Sequence, residues 1–140
     1  MTDDLVAFLR ARLDEDEQAA RAASPGPWRV DSETYAEKIS DAKDADVVAG
    51  GRWGGEASVF ESTEDALHIA RHDPTRVLAE VDAKRRIIDQ FTMIELPDQS
   101  NGDTAAVGAY AKMAAVLRLL TLPHAAHNDY RPEWAPDGAS

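Results

Sequence analysis

Two histidines four positions apart are the first residues of this sequence that could carry out chemistry. His68 and His72 lie in the segment His-Ile-Ala-Arg-His, and on a helix this spacing places both imidazoles on one face. With Asp65 or Asp73 as a third ligand, the pair could hold a divalent metal. The glutamate that zinc proteases carry between two such histidines is missing. The alternative is therefore one packed histidine and one that faces solvent.

A glycine-rich stretch at residues 50–55 is the second candidate site. It places Arg52 and Trp53 between two pairs of glycines but lacks the lysine of a phosphate-binding loop. We interpret the stretch as a hairpin turn. A tryptophan beside a guanidinium on such a turn could stack on a base or anchor in a pocket of a partner, with Arg71 as a further contact. The alternative for Trp53 is simple packing in the core.

No arrangement of residues predicts a catalytic site. The nucleophile motif Gly-x-Ser-x-Gly does not occur, and nothing apolar flanks the acidic runs at 14–17 and 41–46 to shift a pKa. The chain has no cysteine, which excludes disulfides, thiolate zinc sites and cysteine nucleophiles. We therefore predict no catalytic residue and no cofactor, apart from a possible divalent metal at the histidine pair.

Charge and hydropathy limit the partners of the protein. The chain carries 26 acidic and 15 basic residues, a net charge of -11, which would repel a phosphate backbone or an anionic membrane. No run approaches the roughly 18 consecutive apolar residues of a membrane span. Residues 1–13 lack the apolar segment and cleavage site of a signal peptide. The sequence thus predicts a cytoplasmic protein that binds neither nucleic acid nor membrane directly.

The elements that position these residues are expected to form a single α+β domain over residues 1–140. We predict an N-terminal helix in residues 1–24, a strand region in 25–61, a helical region in 62–121 and an irregular tail in 122–140. The strand region should contain a small antiparallel sheet of three short strands, because three short apolar runs lie between turn residues. These runs are Trp28 to Val30, Asp46 to Ala49 and Ala57 to Phe60.

The helical region is expected to contain three helices. Ser62 should cap the first, which must end before Pro74, and Asp73 should cap the second. The third, from Ala105 to Leu120, is apolar on almost every side, so we place it closest to the centre of the fold. Two aromatic residues of the tail, Tyr130 and Trp134, are expected to pin that tail to the body.

The second of these helices carries an apolar stripe that is long for a single helix. Its members are Val77, Leu78, Val81, Ile88 and Phe91. A small domain could use such a stripe to pair with a second copy. We therefore predict a homodimer, in which the basic run at residues 84–86 pairs with acidic faces of the same chain or of its neighbour.

Five blocks of the sequence carry a recognisable pattern. They are residues 3–17, Pro25-Gly26-Pro27-Trp28, His68-Ile69-Ala70-Arg71-His72-Asp73-Pro74, Val116-Leu117-Arg118-Leu119-Leu120 and Asp129-Tyr130-Arg131-Pro132. In this order they resemble a family of unknown function found in actinobacteria and their phages. The resemblance covers nearly the whole chain except about residues 31–56, and it implies no activity.

The resemblance also bears on metal binding and on the class of protein. Members of the family often carry a Cys-x-x-Cys cluster just before the segment that matches 116–120, which would imply a small zinc site. This chain has no cysteine there, so the zinc site does not carry over. A looser likeness to small accessory early proteins of tailed phages implies a non-enzymatic role.

Two functional hypotheses follow. The first is a small acidic, non-enzymatic protein-interaction module, dimeric, that contacts a host or phage protein. The second is a small-molecule site: either a nucleotide-sequestering pocket formed between subunits by Arg52, Trp53 and Arg71, or a metal centre at His68 and His72 with hydrolytic activity.

Overall fold

The computed structural model describes residues 2–31, 38–49, 60, 62–94 and 102–136. These residues confirm an α+β fold with an N-terminal helix, a three-stranded antiparallel sheet and three further helices. The elements are α1 (Thr2–Ala22), β1 (Arg29–Asp31), β2 (Lys38–Ser40), β3 (Asp46–Ala49), α2 (Thr63–Arg71), α3 (Pro74–Thr92) and α4 (Thr104–Thr121). Two short 3-10 turns, Leu122–His124 and Pro132–Trp134, follow α4.

The described residues form two compact units. We call the one within Met1–Glu15 and Asp82–Ser140 the helical unit, and the one within Asp16–Val81 the sheet unit. Helices α1 and α3 contribute residues to both units. The single domain over residues 1–140 stays a prediction.

The sheet has the strand order β1-β2-β3, with both pairs antiparallel. Two of its strands were expected, but β2 was not, because Ile39 is the one strongly apolar residue in it and a single residue shows no periodicity. Ile39 lies opposite Val30 on β1 and Val48 on β3. The predicted strand at 57–60 lies outside the described residues except for Phe60, which is buried.

The core of the sheet unit lies between one face of the sheet and α2. The buried side chains of Ile39 and Phe60 pack with Ala66 and Ala70 of α2. The side chain of Ser62 accepts the main-chain N–H of Asp65 at 3.2 Å, which confirms the predicted cap of α2. Because this cap fixes where α2 begins, it also fixes which residues of α2 face the sheet.

The core of the helical unit gathers around Phe8 of α1. The ring of Phe8 lies 4.9 Å from that of Trp134 and 6.2 Å from that of Tyr130, measured between centroids. Trp134 is buried, and Arg131 pairs with Asp4 at 2.8 Å. These contacts confirm that Tyr130 and Trp134 pin the tail.

The prediction that the last helix is the most central element is wrong. Within α4 only Leu117 and Thr121 are buried. Small residues fill most of its first three turns, and a helix of alanine and glycine is apolar on every side without having to be enclosed. Much of the apolar surface of α4 therefore faces outward.

Candidate functional site

A cavity of about 590 Å³ lies between β1 and α2 in the sheet unit. Successive side chains of a strand point to opposite faces of its sheet, yet this cavity is lined by both Arg29 and Val30. It therefore opens at the edge of β1, and we call it the edge groove. From α2 it is lined by Glu64, Leu67, His68, Ala70 and Arg71.

The edge groove brings together two of the residues predicted from the sequence. His68 and Arg71 line it side by side with Trp28. The ring of His72 lies 4.4 Å from that of His68, and its Nδ1 donates to the carbonyl oxygen of His68 at 2.8 Å. Arg52 and Trp53, the other two predicted contacts, lie outside the described residues.

The histidine pair lacks a third ligand among the residues that the structure describes. No group of three or more histidine, cysteine, aspartate or glutamate side chains is close enough there to hold a metal. Asp73, one of the expected third ligands, instead accepts main-chain N–H groups through both carboxylate oxygens. A metal at His68 and His72 stays a prediction that these contacts do not support.

Two cations border the edge groove, and they differ in availability. The guanidinium of Arg29 binds the carboxylate of Asp44, a hydrogen bond that raises the pKa of Arg29, and its Nε lies 3.5 Å from Asp31. The side chain of Arg71, by contrast, makes no hydrogen bond or ion pair with any described residue. Arg71 is thus the cation that the groove can offer to a ligand.

Asp31 belongs to a polar network on the face of the sheet opposite the core. The buried hydroxyl of Ser40 donates to its Oδ2 at 2.7 Å, and this hydrogen bond, with help from Arg29 and Lys38, lowers the pKa of Asp31. The charged end of Arg29 is thus paired with Asp44 and Asp31 within the sheet unit.

The outward face of α4 is a second candidate site, and it was missed from the sequence. Val116, Leu119 and Leu122 are 37%, 52% and 39% exposed. By length and composition alone, the helix Thr104–His124 is long and apolar enough to cross a membrane, and most of its most apolar window is exposed. It passes that test although Lys112 and Arg118 interrupt its apolar run. The signal in the sequence was a helix that is apolar all round and contains no acid.

A cavity of about 490 Å³ lies beside α4 in the helical unit. Its apolar walls include Leu5, Ala114 and Trp134, and Arg118 and Arg131 provide positive charge. Arg131 is held by Asp4 and lies over the ring of Trp134 at 5.5 Å. The side chain of Arg118 has no partner among the described residues, so this end of α4 combines apolar surface with an available cation.

Comparison with known proteins places the chain in a family. The model of a family described as being of unknown function matches residues 2–136. No curated protein and no solved structure matches the chain. The match confirms the resemblance to a family of unknown function over nearly the whole chain.

Proposed function

The chain belongs to the family of unknown function DUF6221, and from its structure we propose that it is a non-enzymatic protein-interaction module that pairs with a second copy of itself through α4. The observation that carries the proposal is the acid-free face of α4. We define this face by Ala105, Ala109, Lys112, Val116 and Leu119, all of them exposed.

Exposure of this face costs free energy that a partner would recover. Burying a leucine or valine side chain that is otherwise exposed stabilises by about 1.5–3 kcal/mol. Val116, Leu119 and the adjoining Leu122 account for three of the six large hydrophobic residues that are exposed among the described residues. Large apolar residues that are exposed on one side of a helix are typical of a protein–protein contact.

Charge favours a second copy as the occupant of this face. All 26 acidic residues of the chain lie outside α4, whose charged residues are Lys112 and Arg118. Two chains with a net charge of -11 repel each other over most of their surfaces. The acid-free face is where two copies can approach at the lowest electrostatic cost.

The spacing on α4 is self-complementary. The five residues of the acid-free face are separated by four, three, four and three positions, the spacing of a helix that packs along another helix. If two α4 helices run antiparallel about a midpoint between residues 110 and 111, Ala105 lies opposite the partner's Val116. In the same arrangement Ala109 lies opposite the partner's Lys112. Large side chains then meet small ones, which fills the contact without voids.

The stripe on α3 that was expected to form the dimer is used within the chain. Val81, Ile88 and Phe91 are buried. The support for a dimer therefore comes from α4 rather than from α3. A homodimer remains our proposal, now with a different contact surface.

We extend the proposal to the cellular setting. The five blocks that resemble a family of actinobacteria and their phages support a cytoplasmic role in such a host, through contact with a host or phage protein. The acidity of the chain supports a partner other than nucleic acid.

Replacement of Leu119 by glutamate tests the pairing. We expect sedimentation velocity to show the wild-type chain at twice its mass of 15.2 kDa and Leu119→Glu as a monomer. A charge on the acid-free face would be buried without a partner in the dimer, which is strongly unfavourable. Leu67→Glu is the matched control, because Leu67 is 54% exposed against 52% for Leu119, and it should remain dimeric.

Three outcomes would contradict the proposal. One is a wild-type chain that sediments as a monomer at micromolar concentration, and another is a Leu119→Glu chain that remains dimeric. The third is that the wild-type chain binds neutral lipid vesicles and that Leu119→Glu abolishes this binding. Such a result would mean that the acid-free face contacts a membrane. Circular dichroism should show that both variants keep the helical content of the wild-type chain.

A further inference from the structure

We propose that the edge groove binds an extended peptide that carries a carboxylate, and that this peptide adds a strand to β1. The inference concerns the sheet unit and does not depend on the pairing of α4. It assigns a ligand class to the site that gathers His68 and Arg71.

The outer edge of β1 has no strand partner among the described residues, because β1 pairs there with β2 alone. An exposed strand edge carries unpaired main-chain donors and acceptors, which an extended peptide can satisfy. The N–H of Trp28, just before the strand, is already donated to Asp73 at 2.8 Å. The edge that is available therefore begins at Arg29.

The two walls are of comparable length. At about 3.3 Å per residue, Trp28, Arg29 and Val30, which line the strand side of the groove, extend over about 10 Å. On α2, Glu64 and Arg71 mark the two ends of the groove wall, seven residues apart, which is also about 10 Å at 1.5 Å per residue. A peptide of about three extended residues would therefore contact both walls along their full length.

Apolar surface gives the groove a place for a side chain. Leu67 is the most exposed apolar residue of α2, and Ala70 and Val30 lie at the inner side. The indole Nε1 of Trp28 donates to the carbonyl oxygen of Ser24 at 2.9 Å, so its polar atom is satisfied and its ring is left for apolar contact. Alternate side chains of an added strand point the same way, and one of them would meet this surface.

Charge determines which peptide fits and in which position. Arg71 has no partner among the described residues, and a guanidinium binds a carboxylate through two parallel hydrogen bonds. Glu64, at the other end of the groove wall, would repel a second carboxylate. The peptide should therefore place its carboxylate at the Arg71 end and an apolar or basic residue at the Glu64 end.

A display library of random seven-residue peptides, selected against the full-length chain, tests the inference. We expect enriched peptides to contain aspartate or glutamate next to β-branched residues. The tightest peptide is then labelled with fluorescein, and its binding is measured by anisotropy. We expect its affinity for Arg71→Gln to be at least tenfold lower than its affinity for the wild-type chain. Changing the carboxylate of the peptide to an amide should have a similar effect. Leu67→Glu should also weaken binding.

The controls come from the other unit. Arg118→Gln removes a second arginine without a partner among the described residues, and Leu119→Glu removes a leucine of matched exposure. Both should bind the peptide as the wild-type chain does. Because Leu119→Glu tests the acid-free face, failure of α4 pairing and failure of peptide binding would be observed separately.

Any of three results would overturn the inference. The library could yield no enriched acidic peptide, or the tightest peptide could bind Arg71→Gln with unchanged affinity. A peptide N-methylated at alternate residues could also bind as tightly as the parent, which would mean that main-chain pairing with β1 does not occur. Equal urea midpoints for the wild-type chain and Arg71→Gln would show that loss of binding is not loss of fold.

Discussion

The carboxylate of Asp73 connects Trp28 to the start of α3: its Oδ2 accepts the main-chain N–H of Trp28 at 2.8 Å, and its Oδ1 accepts that of Arg76 at 2.9 Å. Asp73 is buried. The first contact fixes the turn before β1, and the second caps α3 as expected from the sequence. Two of the blocks that carry the family resemblance, 25–28 and 68–74, therefore meet at a single side chain.

Asp73→Ala should destabilise the chain more than the loss of an ordinary helix cap. Removal of the cap costs about 1 kcal/mol, and the partly buried N–H of Trp28 loses its acceptor, at a further cost of about 1 kcal/mol. Asp103→Ala is the matched control, because Asp103 is exposed and caps α4 through one bond, to the N–H of Ala106 at 3.1 Å. Urea unfolding of both variants gives the comparison. Equal losses would mean that the Trp28 contact contributes nothing.

Gly26 and Gly108 should respond in opposite directions to replacement by alanine. A Cβ at Gly26 would lie 2.2 Å from Oγ1 and 2.9 Å from the main-chain N of Thr75, whereas one at Gly108 meets nothing within 4 Å. Gly26→Ala forces the turn away from α3 and should lower the melting temperature. Gly108→Ala should raise the free energy of unfolding by about 0.5–1 kcal/mol, because glycine is unfavourable inside a helix. Both melting temperatures can be measured by thermal unfolding monitored with circular dichroism. A higher melting temperature for Gly26→Ala would contradict the close packing of Gly26 against Thr75.

Ser40→Ala should raise the pKa of Asp31 towards its ordinary value of 3.8. The hydroxyl of Ser40 is the main cause of the lowered pKa, and Arg29 and Lys38 would keep part of the effect. A carboxyl group with a lowered pKa in the folded state stabilises the fold above its unfolded pKa. That stability is lost as the pH falls from about 3.8 through the folded pKa.

The measurement is a carbon-13 NMR titration of the Asp31 carboxyl group below pH 5. Thr121→Ala is the matched control, because Thr121 is also fully buried but its hydroxyl donates to the carbonyl oxygen of Arg118. This variant should leave the titration of Asp31 unchanged. An unchanged titration in Ser40→Ala would show that the Ser40 hydrogen bond does not control this carboxyl group.

The helices of this fold could be predicted well because their signals are local. Ser62 and Asp73 mark helix starts within a few residues, and Pro74 forces the division between α2 and α3. The strand β2 could not be predicted, since its burial depends on Ile39 meeting Val30 and Val48 from elsewhere in the chain. This segment is a strand because of the strands it pairs with, and its own residues do not indicate one.

The candidate sites show a similar division. His68 and Arg71 could be identified by residue type, but the residues that complete their groove, Trp28 to Val30, lie about 40 positions earlier in the chain. The sequence range of α4 could be predicted, but its exposure could not. Apolar residues look the same in a sequence whether they face a core or a partner, and only the packing of Leu117 and Thr121 distinguishes the two sides of α4.

The ion pair between Asp4 and Arg131 has a consequence for how the chain folds during synthesis. The pair closes a separation of 127 positions, and the hydrogen bond between Thr2 and Tyr110 closes 108. The first turns of α1 leave the ribosome before these partners do, and an isolated helix of only a few turns is marginal in water. The sheet unit is one continuous segment, so its contacts can form while translation continues. Phe8 can therefore form its ring contacts with Tyr130 and Trp134 only after the segment around Trp134 has been translated.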